Sequence, residues 1–168
     1  MILVKFPSLS IGQDWKGLQQ FESLKENEKS IVFYAENKAS MNHFRTLIYE
    51  LTENMNFKIC LVTSVKDDPI LTSKNNKIKS IYIGDGTART KFFLTLKTKI
   101  MIMDMPDLES FHIKRSKIYP VHYIYLFHSM FSIHLYLREG AIDNYDTIFC
   151  VGEHHIDEIS KAEKFYNL

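Results

Sequence analysis

The chain repeats one local pattern: a short, mainly apolar run that stops abruptly at polar residues. Six such runs occur: Ile31–Ala35 (IVFYA), Phe57–Thr63 (FKICLVT), Ile78–Ile83 (IKSIYI), Ile100–Met103 (IMIM), Val121–Phe127 (VHYIYLF) and Thr147–Val151 (TIFCV). Runs this short, rich in β-branched and aromatic residues, suit strands buried on both faces. Helix-patterned segments separate them at intervals of roughly 20–30 residues, which implies βαβ units and a parallel sheet. The pattern predicts an α/β protein: a Rossmann-like, three-layer αβα domain over residues 30–168 with a mostly parallel six-stranded sheet. Residues 1–29 read as an irregular lead-in and one amphipathic helix. A chain of 168 residues is about one domain's worth, and 45% hydrophobic content is enough for a sizeable core.

The helices are read from apolar stripes. Trp15, Leu18, Phe21 and Leu24 recur every third position and mark the first helix. Phe44, Leu47, Ile48 and Leu51 mark the second, with Ser40 placed to cap it. Thr87 or a neighbour starts a third through Phe92, Phe93 and Leu96. Ser129–Glu139 is predicted as a further helix, with Gly140 as its left-handed stop, and Glu153–Tyr166 as the last.

Composition narrows the function classes. The formal net charge is +1, so no global basic field points to nucleic acid. Cys60 and Cys150 lie in separate strand runs without Cys-x-x-Cys spacing, as expected of reduced, buried thiols in a cytoplasmic protein. Met1–Leu9 lacks the apolar core of a signal peptide. Val121–Leu137 approaches the length of a membrane span, but His122, His128, Ser129, Ser132 and His134 interrupt it.

Ligands of open α/β sheets bind beyond the carboxyl ends of the strands, so the polar residues that end each run are the candidate site. The loop after the first run, ENKASMNHF, contains Asn37 and no glycine fingerprint for a dinucleotide. Gly84-Asp85-Gly86-Thr87-Ala88-Arg89 lacks the ending of a phosphate loop. It reads as a tight turn, or as a backbone-plus-Arg89 contact to an anion at a helix start. Asp104 ends the fourth run. His128 and Ser129 end the fifth, where a histidine can take a proton near neutral pH. His134 and Arg138 share a helix face if that segment is helical, and Arg138 can meet a phosphate or Asp143. No Gly-x-Ser-x-Gly elbow supports a serine hydrolase. Glu153-His154-His155 with Asp157 and Glu158 reads better as a helix's acidic first turn than as a metal site. No resident metal or cofactor is expected. His112, Lys114, Arg115 and Lys117 form a basic stretch that could touch anionic lipid head groups.

The ordered runs VFYAENKASMNHF, MDMPDLESFHIKRS and HYIYLFHSMFSIHLYLREGAIDNYDTIFCVGEHHIDEI resemble the CDP-glycerol glycerophosphotransferase-like proteins of teichoic acid and surface polysaccharide assembly. The resemblance covers about residues 30–168 and is strongest over 102–159. It implies the N-terminal, acceptor-side domain of a two-lobed (GT-B) transferase. The acceptor would be a glycan or glycerol-phosphate chain. The donor, CDP-glycerol or a nucleotide sugar, would need a C-terminal domain beyond this chain. It also implies work at the cytoplasmic face of the membrane. The family's strand-end histidine, to which the role of base is assigned, matches His128. The glycine that usually follows it is Ser129 here. The site implied combines His128 as base with Asn37, Gly86, Arg89, Asp104, Ser129 and Arg138 as substrate contacts. The competing expectation is a binding or interaction module without catalysis, using the same crevice or the basic stretch.

Overall fold

The computed structural model describes residues 12–135 and 137–166. Of the expected lead-in at 1–12, residues 1–11 lie outside the described residues. The strands are β1 (Ile31–Ala35), β2 (Ile59–Thr63), β3 (Ile78–Tyr82), β4 (Ile100–Met103), β5 (His122–Leu126) and β6 (Thr147–Phe149). The α-helices are α1 (Gln13–Ser23), α2 (Ser40–Tyr49), α3 (Thr87–Leu94) and α4 (Glu153–Tyr166). All six strands form one sheet in the order β3-β2-β1-β4-β5-β6, and every pairing is parallel. The fold is therefore a Rossmann-like three-layer α/β arrangement, as the run pattern predicts.

β1 lies at the centre, paired to β2 through Val32↔Cys60 and to β4 through Val32↔Met101. All five of its residues are buried. Successive side chains of a strand point to opposite faces, and the two halves of β1 enter two different cores. Val32 and Tyr34 pack with Leu18 and Phe21 of α1, Phe92 and Phe93 of α3, and Met101, Met103, Tyr123 and Tyr125. Ile31, Phe33 and Ala35 pack with Phe44 and Ile48 of α2 and with Ile59, Leu61, Ile102 and Ile124. Edge-to-face contacts stitch the first core: Phe21–Phe92 at 4.9 Å, Phe92–Phe93 at 5.1 Å and Tyr34–Phe93 at 4.9 Å between centroids. The sheet edges are protected differently. β3 exposes Lys79, and β6 is only three residues long, both of which discourage strand addition.

Two local expectations are corrected. Among its described residues the segment 129–139 is not an α-helix: these hold only a 3-10 turn at Ile133–Leu135. Its apolar residues Phe131, Ile133, Leu135 and Leu137 recur every second position, so a helix would scatter them around its axis. The Ser129 hydroxyl instead accepts the Phe131 N–H at 3.2 Å, and Glu158 accepts the Ile133 N–H at 2.8 Å. Gly140 does adopt the left-handed conformation, φ 76°, but within a run of turns. Ser40 is not a cap: α2 makes no side-chain cap bond, and the Ser40 hydroxyl points to Asp104.

One glycine sets how closely α1 lies on the sheet. A Cβ at Gly17 would stand 1.8 Å from the backbone oxygen of Tyr82 in β3. Backbone cannot yield as a side-chain tip can, so α1 must lift away from Leu18 and Phe21's core. Gly17→Ala is expected to destabilise the fold by about 1–3 kcal/mol despite alanine's better helix propensity. Urea denaturation with an unchanged slope checks this, and a midpoint equal to or above the parent's contradicts the close-approach argument.

Candidate functional site

With strands ordered 3-2-1-4-5-6, the chain direction of the connections reverses between β1 and β4, and the crevice at their carboxyl ends is where such sheets bind ligands. Three elements deliver side chains there. α2 follows β1 and carries Ser40 and His43, three apart and so on one helix face. Asp104 is the first residue past β4, and His128 lies just past β5.

Asp104 is 6% exposed and is the hub. Its Oδ1 accepts the Ser40 hydroxyl at 3.0 Å, and its Oδ2 meets His43 Nδ1 at 2.6 Å. A carboxylate only accepts, so His43 donates through Nδ1–H and keeps Nε2 as its basic nitrogen. The His128 ring, exposed at the rim, stacks on His43 with centroids 4.2 Å apart and planes 17° from parallel. A hydrogen bond to the Leu126 backbone holds the His128 ring as well. Ser40 bonds Asp104 rather than a histidine, so the order is not that of a serine nucleophile, whose hydroxyl must face the base.

Although the His128 side chain is exposed overall, partial desolvation of its ring against the rim pushes it below the ordinary histidine range, and the neighbouring His43 pushes it further. Asp104 and the Leu126 carbonyl oppose both without reversing the shift. Two unit charges at 4.2 Å repel by roughly 4 kcal/mol at an effective dielectric constant of 20. The stacked pair therefore accommodates one positive charge far more readily than two.

Of the residues singled out from sequence, the fold brings Asp104 and His128 together, with Ser129 adjacent and half-buried. The others are engaged elsewhere. Asn37 accepts the Ala39 N–H at 2.8 Å and shapes the turn into α2. Gly86 precedes α3, beyond the β3 edge, with open space where its Cβ would stand. Arg89 donates to the Tyr34 hydroxyl at 3.3 Å and lies 3.5 Å from Glu36. Arg138 pairs with Asp107 at 2.7 Å, not with Asp143, and donates to Ser110. A groove of about 610 Å³ runs beside Arg138, lined by Ile133, Leu137, Ile142, Ile148 and Ile159 among others. His43, Asp104 and His128 lie outside the lining of that groove. In the basic stretch, Arg115 pairs with Asp146 at 2.8 Å and Lys117 with Glu109 at 3.2 Å, while Lys114 donates to the Glu109 carbonyl.

His43 is the residue that sequence reading passes over. Its signal is local: Ser40-x-x-His43 in the first turn after the central strand. Its partner Asp104 is 61 residues away, so only the β1–β4 pairing makes the contact.

No protein-family model, curated protein or solved structure matches this chain. Among the described residues, no helix is long and apolar enough to cross a membrane.

The lowered affinity of His128 for a proton has a definite sign. As pH falls through the window below 6.5, the unfolded chain binds this proton more readily than the folded one. The ring's contribution to stability is thus present above that window and lost within it. An NMR titration in chelator-treated buffer is expected to give His128 a midpoint under 6.5, and His43→Ala is expected to raise it. A midpoint at or above 6.5 in the parent chain contradicts the assignment of burial and His43 as the dominant influences.

Proposed function

We propose that this chain is the acceptor-side domain of a transferase resembling the CDP-glycerol glycerophosphotransferases, or of a related glycosyltransferase of cell-surface polysaccharide assembly. One observation carries the reading. A pair of stacked imidazoles, one anchored by a buried carboxyl group, stands at the switch-point rim. Such a pair can draw the proton from an acceptor hydroxyl. In the glycerophosphate version, the hydroxyl oxygen bonds to the donor's glycerol-bearing phosphorus. The bond to the CMP oxygen breaks, CMP leaves with the electron pair, and the hydroxyl proton passes to an imidazole. The resemblance assigns that proton to His128. The Asp104 bond gives His43 the same competence, because it fixes the tautomer that leaves Nε2 as the accepting nitrogen.

Turnover requires a donor-bearing lobe held over this rim, since the gain from positioning exists only when both reactants are fixed. The reading also places the protein at the cytoplasmic membrane face, where a lipid-linked acceptor would be reached. Contact between anionic lipid and the 112–117 stretch would compete with the Arg115–Asp146 and Lys117–Glu109 pairs. A binding module without catalysis is the second reading. It is favoured by the exposed Met130, Phe131 and Leu135 next to the site, which offer an apolar contact surface.

The test uses the protein that carries this chain, supplied with CDP-glycerol and a glycerol-phosphate oligomer. His128→Ala and His43→Ala are each expected to lower turnover about 100-fold or more with little change in oligomer binding. Transfer at the parent rate in both variants overturns the proton-transfer role. Oligomer binding without transfer in the parent protein favours the module.

A further inference from the structure

The same rim holds a donor set that proton chemistry alone does not require. One donor atom from each of His43, Asp104 and His128 lies within 4.8 Å of the other two. Two imidazoles and one carboxyl group are the mixture that suits zinc and other late first-row divalent ions. They arrive from α2, the end of β4 and the end of β5, so they converge from three directions rather than lying along one charged segment. Asp104 is buried, and its second oxygen is held by the Ser40 hydroxyl at 3.0 Å. Outer hydrogen bonds of this kind orient metal-bound carboxylates. We propose that His43, Asp104 and His128 form a binding site for a divalent late first-row cation, zinc by preference, with its remaining coordination positions facing solvent at the rim.

Two adjustments convert the observed arrangement into a coordinating one. The 2.6 Å contact between His43 Nδ1 and Asp104 is a hydrogen bond. Donors that share an ion at about 2.0–2.2 Å each stand farther apart than that. The ion replaces the shared proton, which moves to His43 Nε2. The rings are also within 17° of parallel, so their in-plane lone pairs do not meet at one point. One ring must turn. Both rings are tied, His43 to Asp104 and His128 to the Leu126 backbone; His128 is the more exposed of the two, so it is the ring that turns, giving up its backbone bond for the ion. An ion bound here takes the donors that proton transfer would use and acts as an inhibitor of it. The inference needs only the three side chains and stands independently of the transferase reading.

The full chain, freed of metal by chelation and dialysis, is titrated with zinc by calorimetry and with cobalt(II) by visible absorption. One ion per chain is expected, with cobalt bands typical of a low-coordinate nitrogen and oxygen site. His43→Ala and His128→Ala should each weaken binding tenfold or more, about 1.4 kcal/mol. His112→Ala, in an exposed loop, should leave it unchanged. Circular dichroism establishes that the variants fold, and His128, being exposed, is the substitution least able to disturb the core. Absence of saturable zinc binding overturns the proposal. So does binding that survives in the His43→Ala/His128→Ala double variant, or that falls equally in His112→Ala.

Discussion

The structure depends on β1 being buried on both faces. A strand with Ile31, Phe33 and Ala35 on one side and Val32 and Tyr34 on the other cannot tolerate water at either surface. Burying a large apolar side chain is worth about 1.5–3 kcal/mol, so each face demands its own helical cover. α2 supplies one cover, α1 and α3 the other. Once both are in place, the chain must cross the sheet between β3 and β4, and a crevice opens at the carboxyl ends of β1 and β4. The location of the candidate site is thus a by-product of packing. The core fixes where chemistry can occur before any polar residue is considered.

Asp104 then turns that crevice into a defined arrangement. A buried carboxyl group is costly unless its oxygens are satisfied. Ser40 and His43 satisfy it from α2, across the β1–β4 junction. Asp104 thereby fixes the tautomer of His43, and the stack transmits that order to His128 on the next strand end. The two imidazoles share one electrostatic environment.

Strand positions were legible because each run is short, apolar and sharply ended. The parallel order followed from the helical spacers between them. His128 and Asp104 were legible as strand-end polar residues for the same reason. The partnership of His43 with Asp104 was not, since Ser40-x-x-His43 is a spacing any helix start can carry, Ser40 has the ordinary look of a cap, and the carboxyl group both residues meet lies 61 residues from His43. The segment after Ser129 failed for a different reason. Its density of apolar residues resembles a helix, but their alternation does not, and the backbone N–H of Ile133 finds a tertiary acceptor in Glu158. Arg89 and Arg138 look like anion ligands in sequence and are engaged by Glu36 and Asp107 in the fold. Ion pairing between distant segments is invisible to local pattern.

The bonds from α4 to the stretch after His128 have a mechanical meaning. Glu158 grips the Ile133 amide, and the buried His155 ring reaches the Phe131 carbonyl at 2.9 Å. Phe127, the residue before His128, packs its ring 4.4 Å from that same imidazole. The histidine at the rim therefore rides on a segment leashed to the final helix at two points. A tug on that helix, along its axis or by rotation, is felt first as a change in the pose of one imidazole against its neighbour.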